Sequence, residues 1–340
     1  GFDEWLSGLN FFDNDPYLSR NGNYEHIKGP GTVITMDATI AFLQKHADGG
    51  RPIFAVTWFP SPHDPQQELP QEIPDAAKLY DDEDTKKPGY FREITLLDEQ
   101  IGKLRRSLRE LGMAENTFLF YCSDNGGLVP ESSGGRAKKG SIYEGGLRVP
   151  AVLEWPARYR PQSIDTPAFA SDLYPTLVAI AGVKIARQPK LDGIDLQPVI
   201  AGKQTERPPM GFWHGHTSGQ GTWSDRIIKA LKEAKESGKP NPHPERILKN
   251  VEHFPTFGED AMRGHAAWNA WPWKLHRIQK DDGTVDVELY NLADDPIEEI
   301  DLSATETERV ATMKEELEAW QRSVLGSWSG KDYVSAAEER

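Results

Sequence analysis

Apolar and polar positions along this chain follow two rhythms. Between residues 90 and 111, Ile94, Leu97, Ile101, Leu104, Leu108 and Leu111 recur at spacings of three and four. That rhythm predicts an amphipathic helix, ended by Gly112. Residues 33–47, with Ile34, Ala38, Ala41 and Phe42 on one face, predict another. Compact apolar runs at 52–59, 117–123 and 149–155 predict buried strands. A further helix is expected from Ser171-Asp172, a natural N-cap, to Gly182. Strands alternating with helices are the signature of an α/β fold, whose sites collect at strand ends.

The intervening segments read differently. Residues 1–30 are rich in Asn, Asp and Gly and are expected to form a surface loop, and the proline-rich stretch 61–89 a long loop at the rim of a site. Beyond about residue 205 the composition shifts. Residues 206–272 are rich in Trp, His, Pro and Gly, with one helical insert near 224–237. A hairpin follows: strand 273–279, an Asp282-Gly283 turn, and a strand at 285–289 alternating apolar with acidic. Ser303-x-x-Glu306 has the form of a capping box, opening a helix that buries Val310, Met313, Leu317, Trp320 and Val324. The expected division is therefore 1–205 for the main α/β domain and 206–340 for a smaller C-terminal subdomain containing the 206–272 insert.

Charge narrows the partners. The 340 residues carry 39 Lys and Arg against 53 Asp and Glu, a formal net charge of −14. Nucleic acid is excluded as a partner, because its recognition needs a basic footprint. No apolar run reaches the ~20 residues of a membrane-spanning helix, so no membrane partner is expected. The single cysteine, Cys122, cannot form a disulfide within the chain and reads as a small buried hydrophobe.

The chemistry concentrates in two neighbouring segments. Phe118-Leu-Phe-Tyr-Cys-Ser-Asp-Asn-Gly-Gly127 is an apolar strand that stops at two oxygen-bearing side chains and two glycines. Lys138-Lys-Gly-Ser-Ile-Tyr-Glu-Gly-Gly-Leu-Arg-Val-Pro150 follows closely. A strand ending in an Asx-Gly turn is common. With lysines and a second Gly-Gly turn close behind, hard donors for a cation stand near groups that can meet an anion. Metal plus anion at a strand end points to hydrolysis of a phosphate or sulfate ester.

These segments resemble those of the sulfatase family, within the alkaline-phosphatase-like superfamily. The resemblance runs in order through Gly1-Phe-Asp-Glu-Trp5, Pro60-Ser-Pro-His63-Asp-Pro65, Asp98-Glu-Gln-Ile-Gly102, Asp172-Leu-Tyr-Pro-Thr-Leu177, Asp192-Gly-Ile-Asp-Leu196, Trp273-Lys-Leu275 and Glu288-Leu-Tyr-Asn-Leu-Ala-Asp-Asp-Pro296. It implies a mixed central sheet flanked by helices, with a small C-terminal antiparallel sheet plus helix. It implies Asp124 and Asn125 as metal ligands, for Ca²⁺ or alternatively Mg²⁺. Lys139 becomes the sulfate-contacting lysine, and His63 a sulfate contact and the acid that protonates the leaving oxygen. His214 is a candidate substrate contact, alongside His216, Trp213, Trp223, His243, His253, Trp268 and Trp271; His214-Gly-His216 lacks the third ligand a zinc site needs. Glu144 and Arg148 are expected to brace the lysine turn as a salt bridge. The implied substrate is a sulfated small molecule or carbohydrate, and the implied location periplasmic or secreted.

The family's nucleophile is a formylglycine made within a Cys/Ser-x-Pro-x-Arg motif, and the chain contains no such motif. Two N-terminal metal aspartates of the family pattern are also missing. The expectation is that a missing N-terminal segment supplies both and acts as a partner of the present residues. Two alternatives stay open from sequence: a phosphodiesterase or phosphonate monoester hydrolase of the same superfamily, and a non-catalytic sulfatase-like binding protein.

Overall fold

The computed structural model describes residues 1–8, 14–63, 88–129, 132–215, 224–244 and 258–332. Its elements in chain order are β1 (Leu6–Ser7), β2 (Tyr17–Arg20), β3 (Asn23–His26), α1 (Gly31–His46), α2 (Pro88–Glu110), β4 (Leu119–Cys122), the single turn α3 (Glu144–Leu147) and β5 (Ala151–Glu154). Then come α4 (Leu173–Ala181), α5 (Gln197–Ile200), β6 (Met210–His214), α6 (Ser224–Glu236), β7 (Gly264–Ala270), β8 (Trp273–Gln279), β9 (Val285–Asn291) and α7 (Thr307–Trp328). The described residues form two compact units interleaved in sequence. One draws on 1–117, 155–157 and 219–249, the other on 118–154, 158–218 and 250–340.

In the first unit, the region expected as a plain surface loop holds an antiparallel sheet of order β1-β2-β3. The hairpin turns at Asn21-Gly22, both at positive φ (48° and 84°), the backbone that joins two twisted strands without splaying them. Polarity masked this local signal. Helix α6 packs on β2 and β3 and buries Ile227 and Ile228.

Helix α1 buries Ile34, Met36, Ile40 and Leu43, whereas Ala41 is exposed. On α2 the buried stripe runs through Tyr90, Glu93, Leu97, Gln100, Leu104 and Leu108, leaving Ile94 37% exposed. Tyr90 and Glu93 hold the positions that a purely apolar count assigns to Ile94. Lys103, on the exposed side, pairs with Asp37 of α1. Gly112, at φ 67°, ends the helical segment as expected.

The segment 52–59 belongs to no helix or strand and has no ladder partner among the described residues. Thr57 Oγ1 meets Thr39 Oγ1 of α1 at 2.9 Å. On the other side Phe54, Val56 and Trp58 are 57%, 45% and 82% exposed. The buried strand expected here is therefore a largely exposed apolar ribbon: Phe2 stacks on Phe54 at 5.9 Å between ring centroids, and no strand pairs with it among the described residues.

In the second unit, β4 and β5 pair antiparallel, Cys122 opposite Ala151 and Leu119 opposite Glu154. Helix α4 ends at Gly182, at φ 65°, as read from sequence. Asp172 stands at its N-cap position but makes no side-chain cap bond to it. Wholly buried, it accepts the N–H groups of Phe169 (2.7 Å) and Ile194 (2.8 Å) and both Nη groups of Arg207 (2.6 and 3.1 Å). This bidentate pair ties three stretches of chain together.

The C-terminal sheet has order β6-β7-β8-β9, antiparallel throughout. Side chains on a strand alternate between faces, and here the faces differ sharply. One presents Ala266, Trp268, Trp273, Leu275, Val287 and Leu289 to Met313, Leu317 and Trp320 of α7. The other carries His265, Asn269, Lys274, His276, Glu288 and Tyr290. The expected hairpin and buried helix face are observed. The capping box is not: α7 starts at Thr307 after Glu306, which makes no side-chain cap, and Ser303 bonds Asp301 instead.

The exposed Val56 and Trp58 make a solution prediction. Residues 1–340 expressed alone should self-associate, with apparent mass rising with concentration in light scattering. Trp58→Ser combined with Val56→Thr should reduce the effect; a wild-type monomer at high concentration would contradict it.

Candidate active site

β4 delivers the first functional group. Beyond Cys122 the chain turns at Ser123, whose Oγ donates to the Asn125 carbonyl at 2.8 Å. Asn125 Nδ2 donates to Asp124 Oδ1, which directs the amide oxygen the other way. That oxygen is buried and has no hydrogen-bond partner among the described residues. An orphaned buried acceptor beside an exposed carboxylate fits an oxygen-seeking cation. No group of three or more His, Cys, Asp and Glu able to hold a metal occurs among the described residues, so the pair offers part of a coordination sphere.

Lys139 belongs to the next loop, and backbone bonds place it. Its N–H donates to the Gly127 carbonyl at 3.0 Å. Gly126 N–H donates to Gly146 O at 2.9 Å, and Gly145 N–H to Arg136 O at 2.8 Å. A Cβ at Gly126 would overlap the Gly145 carbonyl, and one at Gly146 would overlap the Ser141 carbonyl. Gly126 is thus required for close approach of one loop to the other, and Gly146 for the tight fold of the second loop on itself, neither for left-handed backbone. Lys138 is exposed and Lys139 half-buried, which separates the two lysines that sequence alone left adjacent.

The other predicted residues lie elsewhere. His63 is in the first unit, after a loop held by the Thr32 hydroxyl donating to Ser61 Oγ at 2.7 Å. Its N–H donates to the Pro60 carbonyl at 3.1 Å. His214 ends β6, exposed, directly opposite His265 of β7. Trp213 and Trp268 use their indole N–H groups internally, to Arg263 O (2.9 Å) and Glu316 (2.8 Å). His216, Trp223, His253 and residues 64–87 of the expected rim loop lie outside the described residues. Cys122, read from sequence as a buried hydrophobe, is half-buried, and burial, then the Asp124 carboxylate, push its thiol up, away from the reactive thiolate.

A buried polar assembly has almost no counterpart in the sequence pattern. Lys274, 0% exposed, donates to Glu144 Oε1 at 2.7 Å and pairs with Glu298 Oε1 at 2.9 Å. His276 Nε2 meets the same Glu298 oxygen at 2.8 Å, and His265 Nε2 meets His276 Nδ1 at 2.8 Å. Glu298 Oε2 accepts the Glu144 N–H at 2.6 Å. Glu144 therefore braces the turn through Lys274, 130 residues away, not through Arg148 as expected. Beside it, Tyr143 and Tyr290 both donate to Glu288 Oε2, at 2.8 and 2.9 Å. The Arg136 guanidinium lies 3.9 Å over the Tyr143 ring and donates to Tyr290 Oη at 2.9 Å. Burial and bonding to Glu288 raise both tyrosine hydroxyls above the usual range. The only trace of this in sequence is the polar alternation Lys274, His276 within β8.

Protonation follows from the bonding. Burial would raise the Glu298 carboxyl, but His276 and Lys274 outweigh it and hold the group below its ordinary value. An ionised Glu298 requires His276 to donate from Nε2, so His276 Nδ1 accepts from His265. Burial, then His276, lower His265 to about 3, and burial lowers His276 too.

The family model described as Sulfatase matches residues 1–183. Human arylsulfatase A is 38% identical over 204 residues, covering 58% of this chain and 37% of its own length. The PsFucS1 sulfatase from Pseudoalteromonas sp. has a similar fold, with TM-score 0.61 at 18% identity over 92% of this chain and 58% of that one. BT4656, solved with its substrate D-glucosamine-2-N,6-O-disulfate, has TM-score 0.67 at 16% identity over 94% of this chain and 76% of that one. The chain spans 37–38% of the length of the first curated relatives it matches. No helix of the described residues is long and apolar enough to cross a membrane.

The histidine chain sets a pH dependence. Unfolded, His265 takes up a proton near its ordinary 6.5; folded, it refuses one until about 3. Stability is therefore lost as pH falls through that window, by up to about 1.4 kcal/mol per pH unit for this group. Glu298, held low, has the same sign below its ordinary value. Denaturant titrations at pH 7 and 5 should show the loss, and His265→Gln should flatten it; identical slopes for the two proteins would refute the assignment.

Proposed function

The chain belongs to the sulfatase family, and from that premise we propose that it forms the body of a metal-dependent sulfatase acting on a sulfated carbohydrate. The observation that carries this reading is the Asp124-Asn125 pair at the end of β4. Its buried, unpartnered amide oxygen lies in a loop bonded to the one that carries Lys139.

In this reading Asp124 and Asn125 hold Ca²⁺, with Mg²⁺ the alternative, through hard oxygen donors. A cation there would offer positive charge to a non-bridging sulfate oxygen. Lys139 provides a fixed second charge on the anion. His63 protonates the departing sugar oxygen, and His214 contacts the sugar. The nucleophile, a formylglycine with the remaining metal ligands, is supplied by a segment outside residues 1–340. Residues 1–205 then belong to the catalytic α/β domain and 206–340 to its C-terminal subdomain, in a periplasmic or secreted enzyme. The carbohydrate class is supported by BT4656, whose substrate is a disulfated glucosamine.

The test is sulfate-ester hydrolysis by the protein that contains this chain together with the nucleophile segment. Asp124→Ala and Lys139→Ala should each lower kcat/KM by about 10²–10³-fold, as expected for loss of a charge-stabilising group. His63→Ala should cost about 10²–10⁴-fold on a sugar sulfate and much less on 4-nitrophenyl sulfate, whose phenolate leaves without protonation. Equal losses on the two substrates would remove His63 as the acid. Absence of sulfate release with intact formylglycine would overturn the reading.

A further inference from the structure

The buried charges on the polar face of the C-terminal sheet do not lie at the candidate site, yet Lys274 and Glu298 are bonded to the loop that forms it, and His276 is bonded to Glu298. Lys274 and His276 come from β8, and Glu298 from the turn after β9. All three are 0–1% exposed. Glu144 opens α3, the turn that follows Lys139. Its carboxylate is held by Lys274 and its N–H by Glu298, so both ends of one residue are gripped by the same cluster. Tyr143 adds a ring contact to His276 at 4.7 Å between centroids and a hydroxyl bond to Glu288.

From this grip the path to the site is short. The turn that contains Glu144 continues to Gly146, whose carbonyl takes the Gly126 N–H next to Asn125. In the other direction, Lys139 bonds Gly127. A merely cohesive contact would not need charges. Burying two carboxylates and an ammonium is expensive, and apolar packing of equal volume commonly stabilises as well or better. What the charges add is register: only one placement of Glu144 satisfies the Lys274 ammonium with its carboxylate and Glu298 Oε2 with its N–H, while Lys274 and His276 share Glu298 Oε1.

We propose that Lys274, His276 and Glu298 are positioning residues: together they clamp Glu144 and so hold Lys139 and the Asp124-Asn125 pair in one arrangement. The clamp stands on the bonds described; its importance for sulfate-ester cleavage rests on the function proposed above.

The experiment compares wild type with Lys274→Met and with the charge-compensated double variant Lys274→Met/Glu298→Gln, which guards against simple failure to fold. Backbone amide hydrogen exchange is followed in the chain, and hydrolysis in the enzyme that contains it. The expected result for the double variant is at least tenfold faster exchange at Gly126, Lys139, Gly145 and Gly146. Exchange in β7, β8 and β9 should stay within about twofold. kcat on a sulfate ester should fall at least tenfold while KM moves less than threefold. Unchanged loop exchange, or an equal acceleration throughout the sheet, overturns the clamp. Faster loop exchange with unaltered kcat overturns its positioning role. If wild-type enzyme cleaves no sulfate ester, the functional reading fails while the exchange result still decides the clamp.

Discussion

The ionised Glu298 carboxylate is the constraint on which the second unit depends. It sits almost wholly out of water, where an unpaired charge is costly. Lys274, the Nε2–H of His276 and the N–H of Glu144 all converge on it. Each donor comes with its own obligations. Lys274 must also meet Glu144, and His276 must take its second hydrogen bond from His265. Removing one member leaves the others buried and unsatisfied, so the assembly behaves as a unit. The polar face of the C-terminal sheet is thereby bound to the 136–146 loop as firmly as the apolar face is bound to α7.

That two-sided use of one sheet explains how a small C-terminal layer shapes a site formed on another segment. The apolar face needs only volume and shape, supplied by Leu275, Leu289, Met313 and Leu317. The polar face demands specific partners, and so selects one position for the loop. The interlocking glycines complete the arrangement, because any side chain at Gly126 or Gly146 would occupy space already filled by a carbonyl. Asp172 and Arg207 repeat the same principle on a smaller scale, a buried pair uniting three segments far apart in sequence. In each case a charge hidden from solvent specifies which stretches of chain meet.

Local signals in the chain were read well where neighbours in sequence supply the physics. The α2 rhythm, the Gly112 and Gly182 stops, the Asp282-Gly283 turn and the face of α7 all arise from residues a few positions apart. The β2–β3 hairpin had an equally local signal in Asn21-Gly22, overlooked because the flanking residues are polar. The segment 52–59 shows the limit of composition: aromatic and β-branched residues make a strand-forming stretch, but a ladder requires a second strand. The alternation within β8 likewise shows that Lys274 and Leu275 face opposite ways, without showing that both faces are covered.

By itself, the sequence determined the family, the helices and hairpins, and the donor chemistry of Asp124, Asn125 and Lys139, since these follow from residue type and short spacing. Only the tertiary structure decided that Asn125 buries an amide oxygen without a hydrogen-bond partner among the described residues and that Lys139, rather than Lys138, is drawn inward. Only it gave Glu144 its partner in Lys274. These outcomes depend on groups as far as 130 residues apart being desolvated together. A residue's type fixes what charge it can carry, but the cost of that charge, and hence its partner, is set by the surroundings that folding brings to it.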